Sequence, residues 1–81
     1  MIMNKLSLSK TEQDFLMNSI ANGDTYKMVS ERLQKDENEL KCIVLEIVKN
    51  LIYEKKGLPE YYCNEYNISK QELYDFMQED N

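Results

Sequence analysis

Apolar residues recur at three- and four-residue spacing along most of the chain, and the gaps between those stretches hold polar residues that start or stop helices. "SKTE" at 9–12 has the capping-box pattern, in which the Ser9 hydroxyl accepts from a backbone N–H three residues on while Glu12 reaches back. Phe15, Leu16, Ile20 and Ala21 follow as an apolar stripe, and Gly23 is placed to end that helix in a left-handed conformation. Asp24 or Thr25 then caps a second helix ending near Leu33, with Met28, Val29 and Leu33 inward and Tyr26 at the margin.

After the link "QKD", Asp36 caps a third helix whose first-turn Glu37 and Glu39 suit the helix dipole. Its apolar positions are Leu40, Ile43, Val44, Ile47, Val48 and Leu51, and the pattern extends to Lys55 or Lys56 with Gly57 as the stop. A helix of about 20 residues would span roughly 30 Å. Pro59 opens a short helix, "PEYYCNE"; "YN" at 66–67 suits a turn because Asn tolerates positive φ. A second capping box, "SKQE" at 69–72, begins a last helix with Leu73, Phe76 and Met77 inward. No strand pattern competes. The expectation is an all-α fold of about five helices, with a long third helix and a C-terminal helical hairpin. It forms one domain over 1–81, with a core at 6–56 and the hairpin at 58–80.

Composition narrows the chemistry. In 81 residues there are two cysteines and no histidine, so serine-histidine and cysteine-histidine catalysis lack their base. Cys42 and Cys63, 21 apart with no histidine, do not make a zinc site, and Cys42 is expected to pack as a small hydrophobe. The carboxylates fall on caps and solvent faces, with no glycine-rich phosphate loop. The reading is a non-enzyme with no cofactor and no evident small-molecule ligand. No run approaches the ~18 apolar residues of a membrane span. The start, "MIMNKLSLSK", is too short and polar for a signal peptide, so a cytoplasmic setting is expected. Met3, Met17, Met28 and Met77 read as core or near-core filler.

The net charge of −5 is uneven. Residues 24–51 hold five bases and six acids, while residues 52–81 hold three bases and seven acids. An acidic whole disfavours non-specific nucleic-acid binding, although a locally basic face survives on an acidic body.

Residues 6–51 resemble the LuxR/GerE-type helix-turn-helix domain, and more distantly region 4 of bacterial sigma factors. "LSKTEQDFLMNSIANGDTYKMVSERL" is similar to that family's opening, and "DENELKCIVLEIVKNL" to its recognition helix without a gap. The resemblance implies a small transcriptional regulator that binds duplex DNA, with possible homodimerisation. By position it puts Lys27 near phosphate and Lys41 near bases or phosphate in the major groove. Lys35 and Lys49 are additional candidate phosphate contacts whose positions match the family less specifically. Glu39 stands where the family has a small hydroxyl residue, Ile43 replaces a frequent histidine, and the family's dimerisation helix is not recognisable after Leu51. "YYCNEYNISKQELYDFM" has a weaker likeness to a second helix-turn-helix core.

A second reading uses the same scaffold without DNA: an antagonist or co-regulator that binds a transcription factor, its acidic C-terminal hairpin mimicking nucleic acid or occupying the factor's DNA-binding face. Leu45 lies on the side of the third helix away from Leu40 and Ile47, which implies cover by the tail or by another chain. Tyr61, Tyr62, Tyr66 and Tyr74 are the candidate partner contacts, and partial burial against the third helix is the plainer account of them and of Tyr53.

Overall fold

The computed structural model describes residues 8–79. Those residues form five α-helices and no strand: α1 (Lys10–Ala21), α2 (Tyr26–Leu33), α3 (Glu37–Tyr53), α4 (Pro59–Glu65) and α5 (Lys70–Glu79). The chain divides into two compact units, and the division falls inside α3, between Ile43 and Val44.

In the first unit α1 packs on α2. The capping box forms as the sequence predicts: Glu12 N–H donates to Ser9 Oγ at 3.2 Å, and Ser9 N–H to Glu12 Oε1 at 3.0 Å. Thr25 caps α2 by accepting from Met28 N–H at 3.1 Å, and Asp36 Oδ2 caps α3 by accepting from Asn38 and Glu39 N–H. The buried set is Leu8, Leu16, Ser19, Ile20, Tyr26, Val29, Leu40 and Ile43. Four residues of the expected apolar faces lie outside it: Ala21 and Leu33 are half-buried, and Phe15 and Met28 are exposed. Phe15 and Met28 are 36% and 41% exposed, because each sits one residue, about 100°, off the buried Leu16 and Val29. Tyr26, expected at the margin, is buried, with the Lys41 ammonium 5.2 Å from its ring centroid. Cys42 is exposed and does not pack as a hydrophobe.

In the second unit α4 and α5 pack on each other. Val44, Leu45, Val48, Tyr62, Cys63, Ile68 and Leu73 are its buried hydrophobics. Ser69 and Glu72 form the second capping box, each N–H donating to the other's side chain at 3.1 Å.

All four links share one closure: a single residue with positive φ, followed by an N–H that reaches back five residues. The left-handed residues are Gly23, Gln34, Lys55 and Asn67. The long-reach bonds run from Asp24 to Ser19, Lys35 to Ser30, Lys56 to Leu51 and Ile68 to Cys63, at 2.9–3.2 Å. Gly23 and Asn67 do what the sequence predicts. Gly57 does not stop α3: the 17-residue helix, about 26 Å long, ends at Tyr53, with the reversal at Lys55. Gly57 has another role: a Cβ there would stand 2.7 Å from Tyr62 Oη and 2.9 Å from its ring. The glycine makes room for a tyrosine, and the strained φ falls to a lysine.

Candidate functional site

The residues proposed to meet DNA separate into two groups. In the first unit Lys27 is exposed on α2, and Lys35 is half-buried in the α2–α3 link. Ser30 holds that link: its carbonyl accepts from Gln34 and Lys35 N–H, and its hydroxyl donates to the Lys35 carbonyl. Glu39 and Lys41 are half-buried on the first turns of α3, and both are engaged within the chain. The Lys41 ammonium lies over Tyr26. Arg32, which the resemblance did not single out, is an exposed cation on α2.

In the second unit Lys49 departs from expectation. It is 4% exposed, with its ammonium 3.4 Å from Glu46 Oε1 and 5.5 Å from the Phe76 ring centroid. A lysine so placed is not on the surface to meet phosphate, because charge and stem are enclosed by an aromatic face and a carboxylate. Leu45, four residues earlier and on the same side of the helix, is 6% exposed and so is not a surface anchor for another chain. Phe76 belongs to α5, so a side chain of the C-terminal hairpin lies against Lys49 on this side of α3.

The exposed residues of α3 are Glu37, Asn38, Cys42, Asn50 and Tyr53, and one strip among them follows four-residue spacing beside the half-buried Lys41. Asn38, Cys42 and Asn50 are exposed and Glu46 is half-buried; none of the four positions is basic. A helix reading the major groove pairs base edges through Arg or Lys on guanine, Asn or Gln on adenine and Glu or Asp on cytosine. This one offers two amides, a thiol and a carboxylate.

The tyrosines also divide. Tyr62 is buried, not a surface contact: its hydroxyl donates to the Lys56 carbonyl at 2.9 Å, and its ring meets Tyr61 edge-on and lies parallel to Tyr66 at 6.4 Å. Tyr66 is half-buried, and burial followed by the nearby Glu65 charge pushes its hydroxyl pKa up. Tyr61 and Tyr74 are exposed, as is Tyr53. Leu58, 71% exposed at the N-cap of α4, was not singled out by its sequence pattern. A leucine directly before Pro59, where a capping side chain belongs, was the available signal.

An open polar hollow of about 350 Å³ lies between α4 and α5, lined by Glu60, Cys63, Asn64, Ile68 and Lys70. The Lys70 ammonium donates to Glu60 Oε2 at 2.7 Å, which lowers the Glu60 pKa and raises that of Lys70. Burial pushes the Cys63 thiol up, away from the thiolate form that reacts or binds metal. Among the described residues no group of three or more Cys, Asp or Glu side chains is placed to hold a metal ion. No described helix is long and apolar enough to cross a membrane. No protein-family model, curated protein or solved structure matches the chain.

Proposed function

We propose that the protein is a protein-binding regulator, an antagonist or co-regulator of a transcription factor, that uses a helix-turn-helix scaffold without inserting α3 into DNA. One observation carries the preference over DNA reading: Phe76 of α5 lies against Lys49, on the side of α3 where Leu45 is also buried. Lys49 is one of the candidate phosphate contacts, and here its ammonium is turned to Phe76 of the protein's own hairpin. The overall charge of −5 points the same way, since a polyanion is repelled at long range. The transcriptional setting rests on the resemblance of residues 6–51. A non-catalytic role agrees with the absence of histidine and with the raised Cys63 thiol pKa.

DNA binding is the second reading, and the exposed Lys27 and Arg32 with the half-buried Lys35 favour it through α2 and its link. Titration of the full chain against random duplex DNA at low salt separates the two. Protein binding predicts no measurable complex even at low salt. Binding that weakens steeply and linearly in log salt would overturn it. The positive arm is co-purification and reconstitution with a purified transcription factor from the same cell, whose own DNA binding should fall on adding the protein. A factor that binds its operator undisturbed, for every factor tried, would sink the regulatory part of the proposal.

A further inference from the structure

The α3–α4 link gathers several departures from local rules, one of which, a left-handed residue that is neither Gly nor Asn, it shares with Gln34 in the α2–α3 link. Lys55 occupies the left-handed conformation at φ 59°, which a lysine side chain disfavours. Leu58 stands at the N-cap of α4 with no side-chain hydrogen bond to the helix, where Ser, Thr, Asp or Asn would supply one. Tyr53, Leu58 and Tyr61 are 58%, 71% and 57% exposed, the three most exposed large hydrophobics among the described residues. Three such departures within nine residues are a cluster, and clustered departures from local consistency mark functional surface.

Charge narrows what the cluster fits: residues 53–61 set Lys55 and Lys56 against Glu54 and Glu60, and Glu60 is taken up by Lys70. The unit from Val44 onward is acidic, and two of its four lysines are held: Lys49 by Glu46 and Phe76, Lys70 by Glu60. The other two are adjacent in this link. Lys55 makes no ion pair among the described residues, and Lys56 has only an exposed contact of 3.6 Å with Glu54, which a better partner displaces at little cost. We infer that Tyr53, Lys55, Lys56, Leu58 and Tyr61 form a docking surface for an acidic protein segment anchored by aliphatic or aromatic side chains. Tyrosine and leucine supply rigid apolar contact, and the two lysines pair the segment's carboxylates and set its register.

The inference rests on the protein-binding reading and names the surface and the chemistry of its partner. Its test is selection of a random-peptide display library on the full-length chain, followed by affinity measurement on the enriched peptides. The expected peptides are rich in Asp and Glu with Leu, Phe or Trp between them. Leu58→Ser or Tyr61→Ser should weaken their binding by about tenfold or more. Lys55→Gly, which suits the turn, should weaken it less and reduce its salt dependence. Melting temperatures of Leu58→Ser and Lys55→Gly at or above that of the parent exclude unfolding as the cause.

Any of four results overturns the inference: no enrichment, enrichment of basic or uncharged peptides, affinities unmoved by the substitutions, or self-association of the parent that Leu58→Ser abolishes. Should peptides bind elsewhere while random DNA is still ignored, this surface fails and the protein-binding reading stands.

Discussion

The α1–α2 and α3–α4 links close in the same way and are built from opposite choices. In the first, Gly23 takes φ 107° with nothing within 4 Å of where a Cβ would lie, so the glycine is there for its backbone alone. In the second, Lys55 takes the left-handed position and Gly57 serves packing, beneath the Tyr62 ring. The α2–α3 link, with Gln34 left-handed, shows how a turn manages without glycine. There the Ser30 hydroxyl donates to the carbonyl of the residue after the strained one, and in the α3–α4 link the Tyr62 hydroxyl does the same to Lys56. A side-chain hydroxyl thus supports each turn whose left-handed residue is neither Gly nor Asn, and local conformational cost is offset by a tertiary hydrogen bond.

The largest test of that contrast is to add a methyl at each glycine. Gly57→Ala drives a Cβ into Tyr62 at 2.7–2.9 Å and dislodges the ring from its bond to Lys56, at a cost of about 2–3 kcal/mol in chemical denaturation. Gly23→Ala meets open space and costs only the backbone strain, about 1–2 kcal/mol. The reverse order would mean that Gly57 is not needed for packing. Tyr62→Phe isolates the hydroxyl and should lose about 1 kcal/mol; no loss would show that the bond to Lys56 does not hold the turn.

Substitutions toward the rules should stabilise the second link and leave the first with little to gain. Leu58→Ser supplies the missing cap and removes an exposed leucine, for a gain of about 1 kcal/mol. Lys55→Gly relieves the left-handed lysine but loosens the unfolded chain, for a smaller net gain of about 0.5 kcal/mol. If both variants lose stability, the link is already optimal for folding and its departures need no functional account.

How far each link was legible in the sequence follows from the range of the forces that shape it. Ser9 with Glu12, Thr25, Asp36, Asn67 and Ser69 with Glu72 act within four residues of themselves, so spacing alone locates them. Gly57 looked like a helix stop because a glycine after an apolar run usually is one; its real neighbour, Tyr62, lies five residues on and acts through the folded turn. Lys49 read as a surface phosphate contact because a single helix does not reveal which of its faces a later element will cover. Phe76, 27 residues downstream, decides that. Phe15 and Met28 show the limit of the apolar stripe, since residues 100° from its centre count toward the pattern without being buried. The candidate partner tyrosines were separable only by contact: Tyr62 has its hydroxyl bond and ring neighbours, whereas Tyr61 and Tyr74 remain exposed.

The smallest expected effect concerns the exposed pair that joins the first turns of α4 and α5. The hydrogen bond and charge of Lys70 hold the Glu60 carboxyl below its ordinary value, and Glu60 raises the Lys70 ammonium in return. A carboxyl whose folded pKa is depressed contributes stability that is present above the unfolded value and is lost as pH falls through the folded one. An ammonium whose folded pKa is raised contributes stability that is present below the unfolded value and is lost as pH rises through the folded one. The pair therefore adds a plateau between the carboxylate and lysine ranges and falls away at both ends. Both groups are well exposed, so the plateau should be shallow and should flatten in high salt. Glu60→Gln removes both edges of this contribution together. If the alkaline edge stays unchanged in Glu60→Gln, Lys70 does not take its raised pKa from this partner, and the link between the two helix starts lies in backbone and packing alone.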